Sequence, residues 1–253
     1  MDLGLKGKFA IVNGASQGIG YAIARTLAGE GAIVLMSARR GPGLQTAGKR
    51  LEEETGIRPV LVEADIRSKD DCNKIVRCAN DNFGRLDILV NNDGAPPLGA
   101  ALEFDDAAWH KAVEQNLMSV VRMCRGAVPL MTAGGGIVNI TALSTLQPLP
   151  GFALSVATWA GVIALAKTLS IEHGPKNINV NTLCPGLIET PRLQKVIDQS
   201  GGPMMDLTTE IPLGRYGKAS EVADLVAFLV SPRARYISGT TINIDGGLRK
   251  SLL

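Results

Sequence analysis

Apolar residues along this chain fall into two alternating patterns. Short runs that are apolar at almost every position occur at 8–14 (KFAIVNG), 32–38 (AIVLMSA), 58–65 (RPVLVEAD), 86–92 (LDILVNN), 136–143 (GIVNITAL), 178–185 (INVNTLCP) and 240–247 (TTINIDGG). Between them apolar positions recur at helical spacing, as in YAIARTLAGEG and EVADLVAFLVS. A strand that is apolar on both sides must be covered on both faces. Strand followed by helix, repeated in this way, predicts an α/β fold with a doubly wound parallel sheet. No linker, repeat or low-complexity tract divides the pattern, so residues 1–253 are expected to form a single domain. The least regular segment, at about 187–215 and containing SGGPMM, reads as a mobile insertion and a candidate substrate lid.

Composition narrows the class. The 253 residues are 45% hydrophobic and 20% charged, which fits an ordered soluble protein and argues against disorder. A net charge of +2 argues against broad nucleic-acid or membrane-surface binding. No run of about 18 apolar residues and no basic-then-apolar leader is read from the sequence, so a cytoplasmic location is expected. Cys72, Cys78, Cys124 and Cys184 show no C-x-x-C pairing, and His110 and His173 lie far apart, so no metal site is expected. Cys184 follows a strand and could be a reactive thiol, but a packed cysteine is the simpler reading.

Candidate chemistry begins with NGASQGIG (13–20), which follows the first strand and opens a helix. Gly14 permits a tight turn. Gly18 and Gly20 let the backbone approach a pyrophosphate and let the helix pack on the sheet, with the phosphate at the helix N-terminus. Ser16, Gln17 and Ile19 complete this loop. At the end of the second strand, where a site preferring NAD places an acid for the ribose hydroxyl, the chain has Arg39 and Arg40. Arginine suits a 2′-phosphate, so NADP is the expected cofactor.

Over essentially its whole length the chain resembles the short-chain dehydrogenase/reductases, particularly the 3-oxoacyl-ACP reductase-like ones. The resemblance is carried by NGASQGIG, by AD at 64–65, by NNDG (91–94), by QNL around Asn116, by IVNI (137–140), by CPGLIET (184–190) and by INIDGG (242–247). It implies a seven-stranded Rossmann-type sheet, a small-molecule substrate and a homotetramer. It also implies Asp65 and Ile66 near the adenine, Asn92, Asp93 and Gly94 by the ribose, and Pro185, Gly186, Ile188 and Thr190 at the nicotinamide amide.

Family members transfer hydride with an Asn, Ser, Tyr and Lys set. Anchored on IVNI and on AGVIALAK, the Ser position here is Ala142, the Tyr position is Ser155 and the Lys position is Trp159; only Asn116 matches. The tyrosine donates a proton to the forming alkoxide, and the lysine lowers its pKa. Serine is a far weaker acid, Ala142 offers no hydrogen bond, and Trp159 reads as an apolar wall. The resemblance therefore implies an atypical member lacking the catalytic Ser, Tyr and Lys, in which ordinary ketone reduction is slow. The closing DGGLRKSLL is similar to that of a subgroup of reductase-like sequences without a full set.

Candidate substitutes are Asp93, whose carboxylate would lie close to the ribose, and Ser144 and Ser155. Each also has a plainer reading, as a hydrogen bond to backbone or ribose for Asp93 and as an inert loop or helix serine for the others. Three functions stay open at this point. One is an NADP-dependent oxidoreductase with a reorganised proton relay. The second is a catalytically silent nucleotide-binding subunit partnering an active paralogue, and the third a non-redox isomerase, dehydratase or cyclase. The intact CPGLIET favours the first two. Leu187, Ile188, Leu193, Met204 and Met205 hint at a hydrophobic carbonyl or alcohol, although core packing explains them as well.

Overall fold

The computed structural model describes residues 1–92, 94, 96–199 and 207–251. Its strands begin with β1 (Phe9–Val12), β2 (Ile33–Ala38), β3 (Val60–Glu63), β4 (Ile88–Asn91), β5 (Gly135–Ile140) and β6 (Ile178–Pro185). The two-residue β7 (Ile188–Glu189) and β8 (Gly217–Lys218) follow, and β9 (Thr241–Ile244) comes last. Seven of these, all parallel, form one sheet in the order β3-β2-β1-β4-β5-β6-β9. Helices α1 (Gly18–Gly29), α2 (Gly41–Thr55), α3 (Lys69–Phe83), α4 (Asp106–Ala112), α5 (Ser119–Ala127), α6 (Ala153–His173), α7 (Pro191–Gln199) and α8 (Ala219–Leu229) occupy the crossovers. Each apolar run read from the sequence is a strand of this sheet. The chain winds outward from β1 to β3, then returns to β4 beside β1, which opens a crevice at the C-terminal ends of β1 and β4.

The two faces of the sheet carry separate cores. Val12, Met36, Val138 and Leu183 pack with α1 and α8 residues such as Ile23, Leu27, Val222 and Val226. Ile11, Leu35, Leu89, Ile137 and Val180 pack on the other side with Ile75, Met123 and Val162. Parallel strands alternate their side chains between these layers, so both sides are apolar, as the sequence pattern requires.

On the second face, one row nearer the C-terminal edge, the apolar layer gives way to a polar one. Ser37, Asn13, Asn91, Asn139 and Thr182 occupy adjacent positions on β2, just after β1, and on β4, β5 and β6, and all are buried. The Ser37 hydroxyl donates to Asn13 Oδ1 (2.8 Å), Asn13 Nδ2 to Asn91 Oδ1 (3.3 Å) and Asn91 Nδ2 to Asn139 Oδ1 (2.9 Å). The row ends on two atoms without partners among the described residues, Asn139 Nδ2 and Thr182 Oγ1.

Helix α6 is apolar on nearly every side. Leu154, Val162 and Ala166 are buried, whereas Ala157, Ala160 and Ala164 are exposed and Ile171 is 69% exposed. By length and composition the stretch Ala153–Lys176 could cross a membrane. The core helix of a soluble protein meets the same criterion, and Ser155, Thr158, Lys167 and Ser170 keep the stretch from being an unbroken apolar run.

The segment expected to be irregular is partly regular. It begins with β7, which pairs with β8 apart from the main sheet, and continues into α7. Residues 200–206, with Met204 and Met205, lie outside the described residues. The C-terminal tail crosses back over this region. Lys250 N donates to Gln147 Oε1 (2.9 Å), and its ammonium lies 3.7 Å from Glu210.

Candidate functional site

The glycine-rich turn sits at the crevice. Gly14 has φ 63°, and a β-carbon there would collide with the Asn92 carbonyl. A β-carbon at Gly20 would collide with the Gly14 carbonyl. Asn92 Nδ2 ties the turn from the other side, donating to the carbonyls of Asn13 (3.3 Å) and Gly14 (3.4 Å). The first turn of α1 follows Gln17, which makes no side-chain cap. Its leading N–H groups are therefore left for a ligand, and an anion is what that end of a helix favours. Ser16 and Ile19 are partly exposed beside it. This cradle fits a pyrophosphate.

Arg39 and Arg40 are exposed after β2, and Arg40 precedes the first residue of α2. A feature not read from the sequence lies next to them: the Glu63 carboxylate, reaching from β3, lies against Gly41, where a β-carbon would have to push it aside. Asp65 is paired with Arg67. Its carboxylate accepts a bifurcated hydrogen bond from Arg67 Nε (3.0 Å to each oxygen), and this guanidinium holds its pKa below the ordinary value, with Arg39 a minor contributor. Ile66 is buried in the core, packed with the α3–α5 side.

On the opposite wall, Pro185 ends β6 and Gly186 lies so close to Asp245 that a β-carbon would meet it at 2.8 Å. The Ile188 side chain is buried against the α1–α8 core. The Thr190 hydroxyl donates to the Ile188 carbonyl (3.2 Å) and accepts from Leu193 N (3.2 Å), capping α7. Its methyl faces Gly18, 3.5 Å from where a β-carbon would sit.

The remaining residues converge on Gly94. Asn116 lies in a π-helical turn, Val113–Met118, between α4 and α5, a local widening that is common at functional sites. Its Nδ2 donates to Thr158 Oγ1 (2.8 Å), and the Thr158 hydroxyl in turn donates to the Leu154 carbonyl (2.6 Å). Because Thr158 spends its proton on that carbonyl, it can only accept from Asn116, and the amide orientation is fixed. Asn116 Oδ1 is then buried without a partner among the described residues and lies against Gly94. Trp159, 9% exposed, points its Nε1 at the same place, 3.5 Å from a β-carbon built on Gly94. The indole is thus more than a wall, because it brings a hydrogen-bond donor to this end of the cleft.

Ser155 is buried one helical turn before Trp159, and Ala142 is partly buried at the end of β5. Among the described residues the Ser144 hydroxyl is buried without a partner, as is that of Thr145. Asp93 lies outside the described residues. Cys184 is packed beneath this edge, its sulfur 3.1 Å from Thr141 Oγ1, and burial raises its pKa. Burial also pushes Cys72 up to about 11 and Cys124 to about 12. Neutral buried thiols are poor nucleophiles, which removes Cys184 as a catalytic candidate.

Sequence reading identified Asn116 but not Thr158, which aims it, because a helical threonine gives no signal until its partner is known. The asparagine row was equally hidden, its members being scattered across several strand ends.

Comparison with known proteins adds to this geometry. Residues 14–249 match the family described as enoyl-(acyl carrier protein) reductase. A 3-oxoacyl-[acyl-carrier-protein] reductase of Thermotoga maritima is 33% identical over 247 residues, covering 96% of this chain and 98% of that protein. The crystal structure of L-sorbose reductase from Gluconobacter frateurii, complexed with NADPH and L-sorbose, superposes with a TM-score of 0.95 at 34% identity and 100% coverage of both chains. A point variant of actinorhodin polyketide ketoreductase with NADPH gives a TM-score of 0.91 at 34% identity, covering 97% of this chain and 98% of that one. With a crevice built for a pyrophosphate and relatives matched from end to end, the chain belongs to the short-chain dehydrogenase/reductase family of oxidoreductases, among its 3-oxoacyl-ACP reductase-like members.

Proposed function

We propose that the chain is an NADP-dependent oxidoreductase with a reorganised proton relay, acting on a hydrophobic carbonyl or alcohol. The supporting observation is the contrast between the two halves of the cleft. Gly14, Gly18, Gly20 and Asn92 interlock as a dinucleotide cradle. At Gly94 the chain instead presents Asn116 Oδ1 and Trp159 Nε1, with Ser155 buried nearby. The solved relatives with NADPH support this cofactor, and Arg39 and Arg40 supply cations for its 2′-phosphate.

The bound cofactor supplies or accepts hydride, and the chain must manage the accompanying proton. Trp159 N–H can donate a hydrogen bond to an oxygen but cannot release its proton near neutral pH. Asn116 Oδ1 can accept from a water or hydroxyl and so hold it in place. The proton then comes from water, or from a group beside it: Asp93, Ser144 or Ser155. General acid–base help is worth about 10²–10⁴ in rate, so a relay without tyrosine and lysine is expected to be slow.

A second reading, a silent nucleotide-binding subunit beside an active paralogue, is favoured by the indole that fills the lysine position. The small exposed stripe Ala157, Ala160 and Ala164 on α6 supports a homotetramer, or a mixed oligomer under this second reading. A cytoplasmic location and a lid at about 187–215 complete the proposal. Hydride exchange from labelled NADPH across a panel of carbonyls and alcohols tests it. Transfer to any member supports the oxidoreductase, and NADPH binding with no transfer supports the silent subunit.

A further inference from the structure

Helix α7 carries a cation that has no acidic partner among the described residues. Arg192, its second residue, is half-buried, and Nη2 lies 3.5 Å from the Pro96 carbonyl, a long contact to a neutral acceptor. Among the described residues no carboxylate pairs with it. Burial lowers its pKa, with no acid to counter the effect. A guanidinium offers five N–H donors in a planar fork, and here at most one is used. A half-buried charge left in this state is unfavourable unless an anion arrives to pair with it.

Its position says where that anion lies. Thr190, two residues earlier, has its methyl against Gly18 at the head of α1. Pro96 is two residues beyond Gly94, against which Asn116 and Trp159 converge. Arg192 thus follows closely on a residue at the phosphate end of the crevice, and its one contact is to a residue just beyond Gly94.

We propose that Arg192 is an anion-binding residue of the cleft, taking a phosphate or carboxylate oxygen between the glycine-rich turn and Gly94. Two sources share this chemistry. One is the nicotinamide-side phosphate of the dinucleotide. The other is an acidic group on the substrate, which would make that substrate an oxo acid or hydroxy acid rather than a neutral carbonyl. The inference rests on the reading of the crevice as a dinucleotide site.

The test compares the full-length parent with Arg192→Gln and Arg192→Lys, by thermal unfolding without ligand and by calorimetric titration. The probes are NADPH, adenosine 2′,5′-bisphosphate, inorganic pyrophosphate, and acetoacetate against its methyl ester in the presence of NADP. Arg192→Gln is expected to melt no lower than the parent, because it removes an unpaired charge. Loss of its charge-assisted hydrogen bond is expected to weaken one anion about tenfold or more, with Arg192→Lys intermediate. Weakened NADPH with unchanged bisphosphate assigns the cofactor phosphate. Unchanged NADPH with weakened acetoacetate, the ester unaffected, assigns a substrate carboxylate. If no probe distinguishes Arg192→Gln from the parent, or if that variant only lowers the melting temperature, the proposal is overturned. A parent that does not bind NADPH refutes the dinucleotide reading instead. Arg192 is then judged by pyrophosphate alone, and equal or absent pyrophosphate binding in parent and variant overturns it.

Discussion

The Asn116 side-chain oxygen lies against Gly94, so close that any residue with a β-carbon at 94 would collide with it. Gly94 also has φ 123°, a conformation that L side chains rarely adopt. Gly94→Ala is therefore expected to lose on the order of 1–3 kcal/mol of stability, measured by urea unfolding. NADPH affinity should fall with it, since the loop carrying Asn92 is displaced. Unchanged stability and affinity would show that the amide and the loop separate freely.

Restoring Ala142→Ser, Ser155→Tyr and Trp159→Lys together is expected to tighten NADPH and raise reduction of simple ketones and acetoacetyl thioesters by about 10²–10⁴. Each single change should do little, because the groups act as a unit. Trp159→Lys also removes an indole from the core, at a cost of roughly 3 kcal/mol or more, so rates are to be compared below the variant's melting transition. A parent that already reduces these substrates at the restored rate contradicts the proposed site.

Arg39→Asp with Arg40→Ser is expected to weaken NADPH selectively and leave NADH unchanged or improved. Glu63, which covers Gly41 beside these arginines, should act in the opposite sense. Glu63→Gln is thus expected to tighten NADPH by a few tenths of a kcal/mol to about 1 kcal/mol, as for other exposed charges. Calorimetry with both nucleotides decides this, and equal parent affinities for the two would remove the basis for the preference.

The asparagine row makes a prediction of its own. Asn91→Leu leaves both Asn13 Nδ2 and Asn139 Oδ1 buried and unpaired, at about 2–4 kcal/mol. Asn139→Leu should cost less, since one of its amide atoms already lacks a partner and only Asn91 is orphaned. Reversal of that order in denaturant melts would mean that the row is not held together by its side-chain bonds.

Legibility in the sequence followed the range of the forces involved. Strands such as Ile178–Pro185 and the glycine-rich turn are set by local patterning and local sterics, so short stretches announce them. β7 and β8 did not show, because two-residue strands have no periodicity and exist only through their pairing. At the candidate site the positions 116, 142, 155 and 159 could be named from the resemblance. The direction of the Trp159 N–H, the orphaned Asn116 oxygen and the unpaired Arg192 could not, because each depends on neighbours distant in the chain: Gly94, Thr158 and Pro96.

The polar row also bears on how the sheet finds its alignment. Its strands are apolar on both faces, so sliding one past its neighbour by two residues would still set apolar groups against apolar groups. Alternation alone therefore discriminates poorly between neighbouring registers. With Ser37, Asn13, Asn91, Asn139 and Thr182 in line, such a slip would strand an amide among leucines and isoleucines. Five side chains brought from five separate stretches of chain thus work as a key, rejecting misaligned parallel pairings that hydrophobic burial by itself would tolerate.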